Sequence, residues 1–190
     1  DHDWAQNTIT LKENVFKKYL SGQPLPTNIS SKAIHIRTIN SCWNWGLKKG
    51  LITKAYKLDG NTKSEARTRV YTKLEMDSIF EKVQDERYNQ FVRFAYYIRA
   101  RTSEIRNLSK SQIGDDTIEV IGKTGKRFIK INAQARRILF NMNPLWDYRR
   151  DFVTHKFKKE IRKIGIKNGR FHDLRRTFGL NLIKQGMSIY

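Results

Sequence analysis

Apolar residues recur at helical spacing through most of the chain. In residues 9–20, Leu11, Val15, Phe16, Tyr19 and Leu20 fall on one side of a helix. Gly22, Pro24 and Pro26 then break the run. Ser30 or Ser31 is placed to cap a second helix reaching about Lys49, with Ile36, Ile39, Trp43 and Leu47 as its stripe and Gly50 as its stop. Residues 59–71 are polar, hold no long apolar run and predict a linker. Thr72-Lys73-Leu74-Glu75 has the spacing of a capping box, opening a helix that buries Leu74, Ile79, Phe80 and Val83. A further helix over about 87–99 carries Phe91, Phe94, Ala95 and Ile98.

The period changes once. Residues 117–121 and 127–131 alternate and are rich in Ile, Val and Phe, with Gly122-Lys123-Thr124-Gly125 between them, which predicts a β-hairpin. Helical spacing returns near 133–142, 151–164 and 172–185. The expected fold is mainly α with a small antiparallel β-sheet (α+β). It divides into a helical domain over 1–58, a linker over 59–71 and a mixed domain over 72–190.

Charge narrows the function. Thirty-eight Lys and Arg against 18 Asp and Glu leave a formal charge of +20. The excess is not confined to a tail: it is +8 across residues 91–150 and +7 across 151–190, both foldable segments. Such charge repels itself in a compact chain unless a polyanion takes it up, so nucleic acid is the expected partner. No helix sets Lys and Arg opposite a continuous apolar face, and no apolar run reaches the roughly 20 residues of a membrane span, so no membrane partner is expected. Cys42 is the only cysteine, which rules out an internal disulfide and suits a reducing, cytoplasmic interior. The opening at Asp1 and the stop just past a helical pattern read as a piece of a longer protein.

Three places carry candidate chemistry. Arg101-Thr102-Ser103-Glu104 follows an apolar helix; Ser103 is a candidate cap for a short helix, leaving Arg101 on the turn before it, oriented by Glu104. Lys123 sits in the hairpin turn, where a lysine reaches a phosphate or protonates a departing oxygen. The turn is not a P-loop, because it lacks the G-x-x-x-x-G-K-[ST] spacing and leads into no helix. His172 and Arg175, three apart, share a helix face anchored by Phe171, Leu174, Phe178 and Leu182. A proton carrier beside a phosphate-binding guanidinium suits phosphoryl transfer. His2, His35 and His155 lack comparable neighbours.

Taken in order, these segments resemble the tyrosine recombinase (phage integrase) family. Arg101-Thr102-Ser103-Glu104-Ile105 with Leu108 is similar to its first arginine box, Lys123 to its hairpin lysine, and His172-Asp173-Leu174-Arg175-Arg176 to its H-x-L-R box. Ser41 to Ile52 resembles the end of its core-binding domain. The resemblance implies a helical core-binding domain followed by an integrase-type catalytic domain. It further implies a site-specific recombinase that cuts and rejoins DNA through a 3′-phosphotyrosyl intermediate. Arg101, Lys123, His172 and Arg175 would be catalytic and Glu104 supporting, with no metal or cofactor.

Partners implied are a double-stranded recombination site and a homotetramer on paired sites in the bacterial nucleoid. Lys32, Arg37, Lys48, Lys49, Arg67 and Arg69 are the candidate DNA contacts. The family has Gly two positions before the first arginine where this chain has Arg99, so a register with Arg99 as the catalytic residue stays open. Tyr190 lies too close to the H-x-L-R box for the family's nucleophile, which is expected beyond the given chain. A type IB topoisomerase and a non-catalytic DNA-binding relative are the alternatives.

Overall fold

A computed structural model describes residues 5–63, 66–122, 125–142 and 145–187. They form two compact units, Asp1–Arg67 and Thr68–Tyr190. No helix among the described residues is long and apolar enough to cross a membrane.

The first unit pairs α1 (Gln6–Leu20) with α2 (Ile29–Lys48). Val15 of α1 and Ala33, Ile36 and Ile39 of α2 are buried, whereas Leu11, Leu20 and Leu47 of the expected stripes remain exposed. The α2 cap is Asn28 rather than Ser30 or Ser31: its side chain accepts a hydrogen bond from the Ser31 N–H at 3.1 Å. Both serines therefore lie inside the first turn. At the other end Lys49 closes the helix and Gly50 takes the left-handed conformation at φ 68°. The chain then turns back along α2, where the Asn40 amide bonds both the N–H and the C=O of Leu58.

The second unit is built on α4 (Glu86–Ile98), whose Tyr88, Phe91, Val92, Phe94, Ala95 and Ile98 are all buried. The expected capping box opens α3 (Lys73–Lys82), with Thr72 and Glu75 each bonding the other's backbone N–H. Ile79 and Val83 are buried as expected, but Leu74 points outward and is 79% exposed. Tyr71, inside the expected linker, is a core residue of this unit. Its hydroxyl donates to Arg170 C=O at 2.9 Å, and its N–H donates to Thr177 Oγ1 at 2.8 Å.

The short α5 (Thr102–Arg106) leads into the hairpin of β1 (Thr117–Gly122) and β2 (Gly125–Lys130). The strands are antiparallel with Val120 opposite Arg127 and Gly122 opposite Gly125. Then come α6 (Ala133–Phe140), α7 (Arg150–Lys163) and α8 (Phe171–Lys184). Phe171 packs on Phe91 at 5.5 Å and on Phe157 of α7 at 5.2 Å between ring centroids. That aromatic seat fixes the start of α8 against the core and so sets the direction of the residues that follow. Phe171 and Leu174 are buried, while Phe178 and Leu182 of the expected stripe are only partly covered.

Candidate functional site

The two helices that carry the candidate residues start in the same way. Arg101 precedes α5 with extended backbone, and its N–H donates to Glu104 Oε2 at 2.6 Å. Arg170 precedes α8, and its N–H donates to Asp173 Oδ2 at 2.9 Å. Each carboxylate stabilises its helix N-terminus and also holds a guanidinium: Arg101 on Glu104 at 2.9 Å, Arg176 on Asp173 at 2.7 Å. Ser103, expected as the cap of α5, lies inside the helix instead.

Glu104 binds a second arginine. Arg127 of β2 donates from Nη2 to Glu104 Oε2 at 2.7 Å. The carboxylate is fully buried, whereas Arg101 and Arg127 keep 39% and 35% of their side chains exposed. Burial alone would raise the Glu104 pKa; hydrogen bonds from Arg127, from the Arg101 N–H and from the Arg101 guanidinium hold it below the ordinary carboxylate value instead. The end of the hairpin closes against this cluster. A Cβ added at Gly122 would lie 2.6 Å from Glu104 Oε1 and 3.5 Å from Arg101 Nη1, so any larger residue there would displace the Glu104 carboxylate from its present position. Lys123, the next residue, lies outside the described residues, as does Tyr190.

Arg175 projects from α8, half-buried. Its guanidinium pKa is pushed down by burial first and then by the charges of Arg101 and Arg127, with Glu104 opposing and Arg99 adding to the effect. His172, one turn earlier, is exposed. Its pKa is lowered by desolvation, then by Arg176, Arg175 and Arg101, against Asp173. Arg101, at the start of α5, is therefore within electrostatic reach of His172 and Arg175, one turn apart on α8. Arg99 caps α4 in the left-handed conformation at φ 52°, the one non-glycine residue with positive φ among those described, and lies over the Phe178 ring at 5.5 Å. The chain's unusual Arg in place of Gly thus occupies a backbone position that suits glycine. Arg99, Arg127, Lys130 and Arg175 line a groove of about 600 Å3 with the aromatic rings of Tyr97 and Phe178.

The expected DNA contacts divide. Lys32, Arg37, Lys48 and Lys49 are exposed on α2, where Arg37 and Lys48 stand about three turns apart on one side. Arg67 is half-buried at the end of the first unit. Arg69 is turned inward: its Nε donates to Asn168 C=O at 3.1 Å, its terminal nitrogens bond Val70 C=O and Glu75, and it lies over the Tyr71 ring. These contacts brace the second unit around Arg69, which keeps 25% of its side chain exposed. Arg127 was not foreseen as part of the site. Alternation along β2 puts it on the same side as buried Ile129, and an arginine on the inward side of a strand is the signal that marks it.

No protein-family model matches the chain, and no curated protein sequence does either. Solved structures do. A lambda integrase dimer bound to a COC′ core site superposes with a TM-score of 0.79 at 17% identity, over 96% of this chain and 84% of that one. The Tn1549 transposon integrase in complex with circular intermediate DNA gives 0.61 at 13% identity, over 94% and 73%. XerA recombinase gives 0.55 at 16% identity, over 98% and 81%. The chain has the tyrosine-recombinase fold. Within this recombinase fold, the arginine cluster is built from the start of α5, strand β2 and the first turns of α8.

Proposed function

We propose that the chain is the DNA-binding and phosphate-activating core of a site-specific recombinase. The reading is supported above all by the meeting of Arg101, His172 and Arg175, from two elements far apart in sequence, within electrostatic reach of one another. Two guanidiniums there hold the non-bridging oxygens of one DNA phosphodiester and stabilise the charge that spreads over them as the bond breaks. A tyrosine hydroxyl attacks phosphorus, forming the 3′-phosphotyrosyl link, and the bond to the 5′-oxygen breaks. Lys123 gives that oxygen its proton, and His172 moves a proton or binds the phosphate. The 5′-hydroxyl of a second strand reverses the step, so no external energy source is consumed. We assign the nucleophile to no described residue.

The first unit grips the duplex through Lys32, Arg37, Lys48 and Lys49, with Arg67 contributing where the two units join in sequence. The partner is a double-stranded recombination site, and the lambda integrase tetramer bound to a Holliday junction supports a tetramer on paired sites. The test compares Arg175→Ala with wild type in the complete gene product, by gel shift and by nicking of the recognised duplex. Cleavage is expected to vanish while specific binding persists. Loss of both together would overturn the role of Arg175. Relaxation of supercoils without a paired site would instead identify a topoisomerase, and binding by wild type with no cleavage a non-catalytic relative.

A further inference from the structure

Among the described residues, two buried side-chain nitrogens have no hydrogen-bond partner: Arg127 Nε and Arg175 Nη1. A buried donor left unpaired costs about 1–3 kcal/mol, so folded proteins seldom keep one without a use. Both of these belong to arginines that line the same groove. The charges there do not balance either. Arg175 lies within electrostatic reach of Arg101, Arg127 and Arg99, against the buried carboxylate of Glu104, which already accepts from Arg101 and Arg127. Like charges packed this closely need an anion that arrives from outside.

We infer that Arg127 is a DNA phosphate-binding residue, a third guanidinium of the site beside Arg101 and Arg175. This rests on the function proposed above and extends it to a residue that function does not require. One N–H of Arg127 is committed to Glu104 Oε2, which fixes the plane of the guanidinium. Its Nε–H, on a different edge of the fork, is buried without an acceptor in the protein, while the side chain as a whole keeps 35% of its surface exposed. The anchoring has a second effect. Glu104 also fixes Arg101, so the two guanidiniums are held in a set relation by one carboxylate, and a phosphate meeting one meets a preorganised pair.

The experiment uses the 190-residue chain and a fluorescein-labelled DNA duplex, titrated over a salt series for wild type, Arg127→Gln and Arg127→Lys. It adds a ¹⁵N spectrum of the arginine Nε–H groups of wild type with and without duplex. Arg127→Gln is expected to weaken binding about tenfold and to reduce the log K against log salt slope by about 0.9, one phosphate contact. Arg127→Lys keeps the slope and recovers part of the affinity. The Arg127 Nε–H resonance moves on saturation with duplex. An unmoved resonance together with an unchanged slope in Arg127→Gln overturns the inference and leaves Arg127 a brace for Glu104. Should Arg127→Gln fail to fold, the wild-type spectrum decides alone. A wild-type chain that shows no salt-dependent binding defeats the proposed function itself, which is a separate outcome.

Discussion

The Tyr71 N–H donates to Thr177 Oγ1 at 2.8 Å, and the Thr177 hydroxyl donates on to Asp173 C=O at 2.8 Å inside α8. Both residues are buried. The segment entering the second unit is thereby tied to the helix that carries His172 and Arg175. Thr177→Val keeps the shape but leaves the Tyr71 N–H buried without its acceptor. The expected cost is about 1–3 kcal/mol, read as a fall of several degrees in melting temperature, with Thr177→Ser close to wild type. Equal melting of the valine and serine variants would remove this link from the account.

Glu104 gives the second unit an acid-sensitive joint. Its folded-state pKa lies below its unfolded value of about 4.3, so its stabilisation is complete above that value and is lost as pH falls through the lower folded one. Glu104→Gln should cost about 3 kcal/mol at neutral pH, the low end for breaking a buried pair, because both guanidiniums reach solvent. Denaturant melts of wild type and Glu104→Gln are expected to converge as pH drops below about 4. Curves that stay parallel would mean that the carboxylate carries no such linkage.

His172 should report the arrival of a phosphate. In the free chain, partial desolvation by neighbouring groups and then Arg176, Arg175 and Arg101 hold its pKa below the ordinary imidazole value of about 6.5. A phosphodiester placed among these arginines cancels their effect and favours the imidazolium. An NMR titration is therefore expected to give a lower pKa without duplex than with it, with proton uptake on binding. Affinity then rises as pH falls through that interval. A pKa indifferent to saturating DNA would place His172 away from the phosphate.

What the sequence made legible was local. The capping box of Thr72 and Glu75, the apolar face of α4 and the glycine-flanked hairpin each depend on neighbours within a few residues, and all three appear where spacing puts them. The α2 cap was expected at Ser30 or Ser31, but Asn28, whose side chain accepts a backbone N–H equally well, takes that place because the helix starts at the next residue, Ile29. The internal bonding of Arg69 could not be read from the sequence, since its partner Asn168 is 99 positions away. Arg127 was hidden for a similar reason. Its meaning comes from Glu104, 23 residues earlier and on another element.

Arg99 holds a left-handed backbone that favours glycine and adds a cation to the groove from that position. Under the proposed function, heat resistance and hold on DNA are then opposed at this single site. A population of variants selected for surviving high temperature would drift toward Arg99→Gly, and one selected for capturing DNA at high ionic strength would keep the arginine.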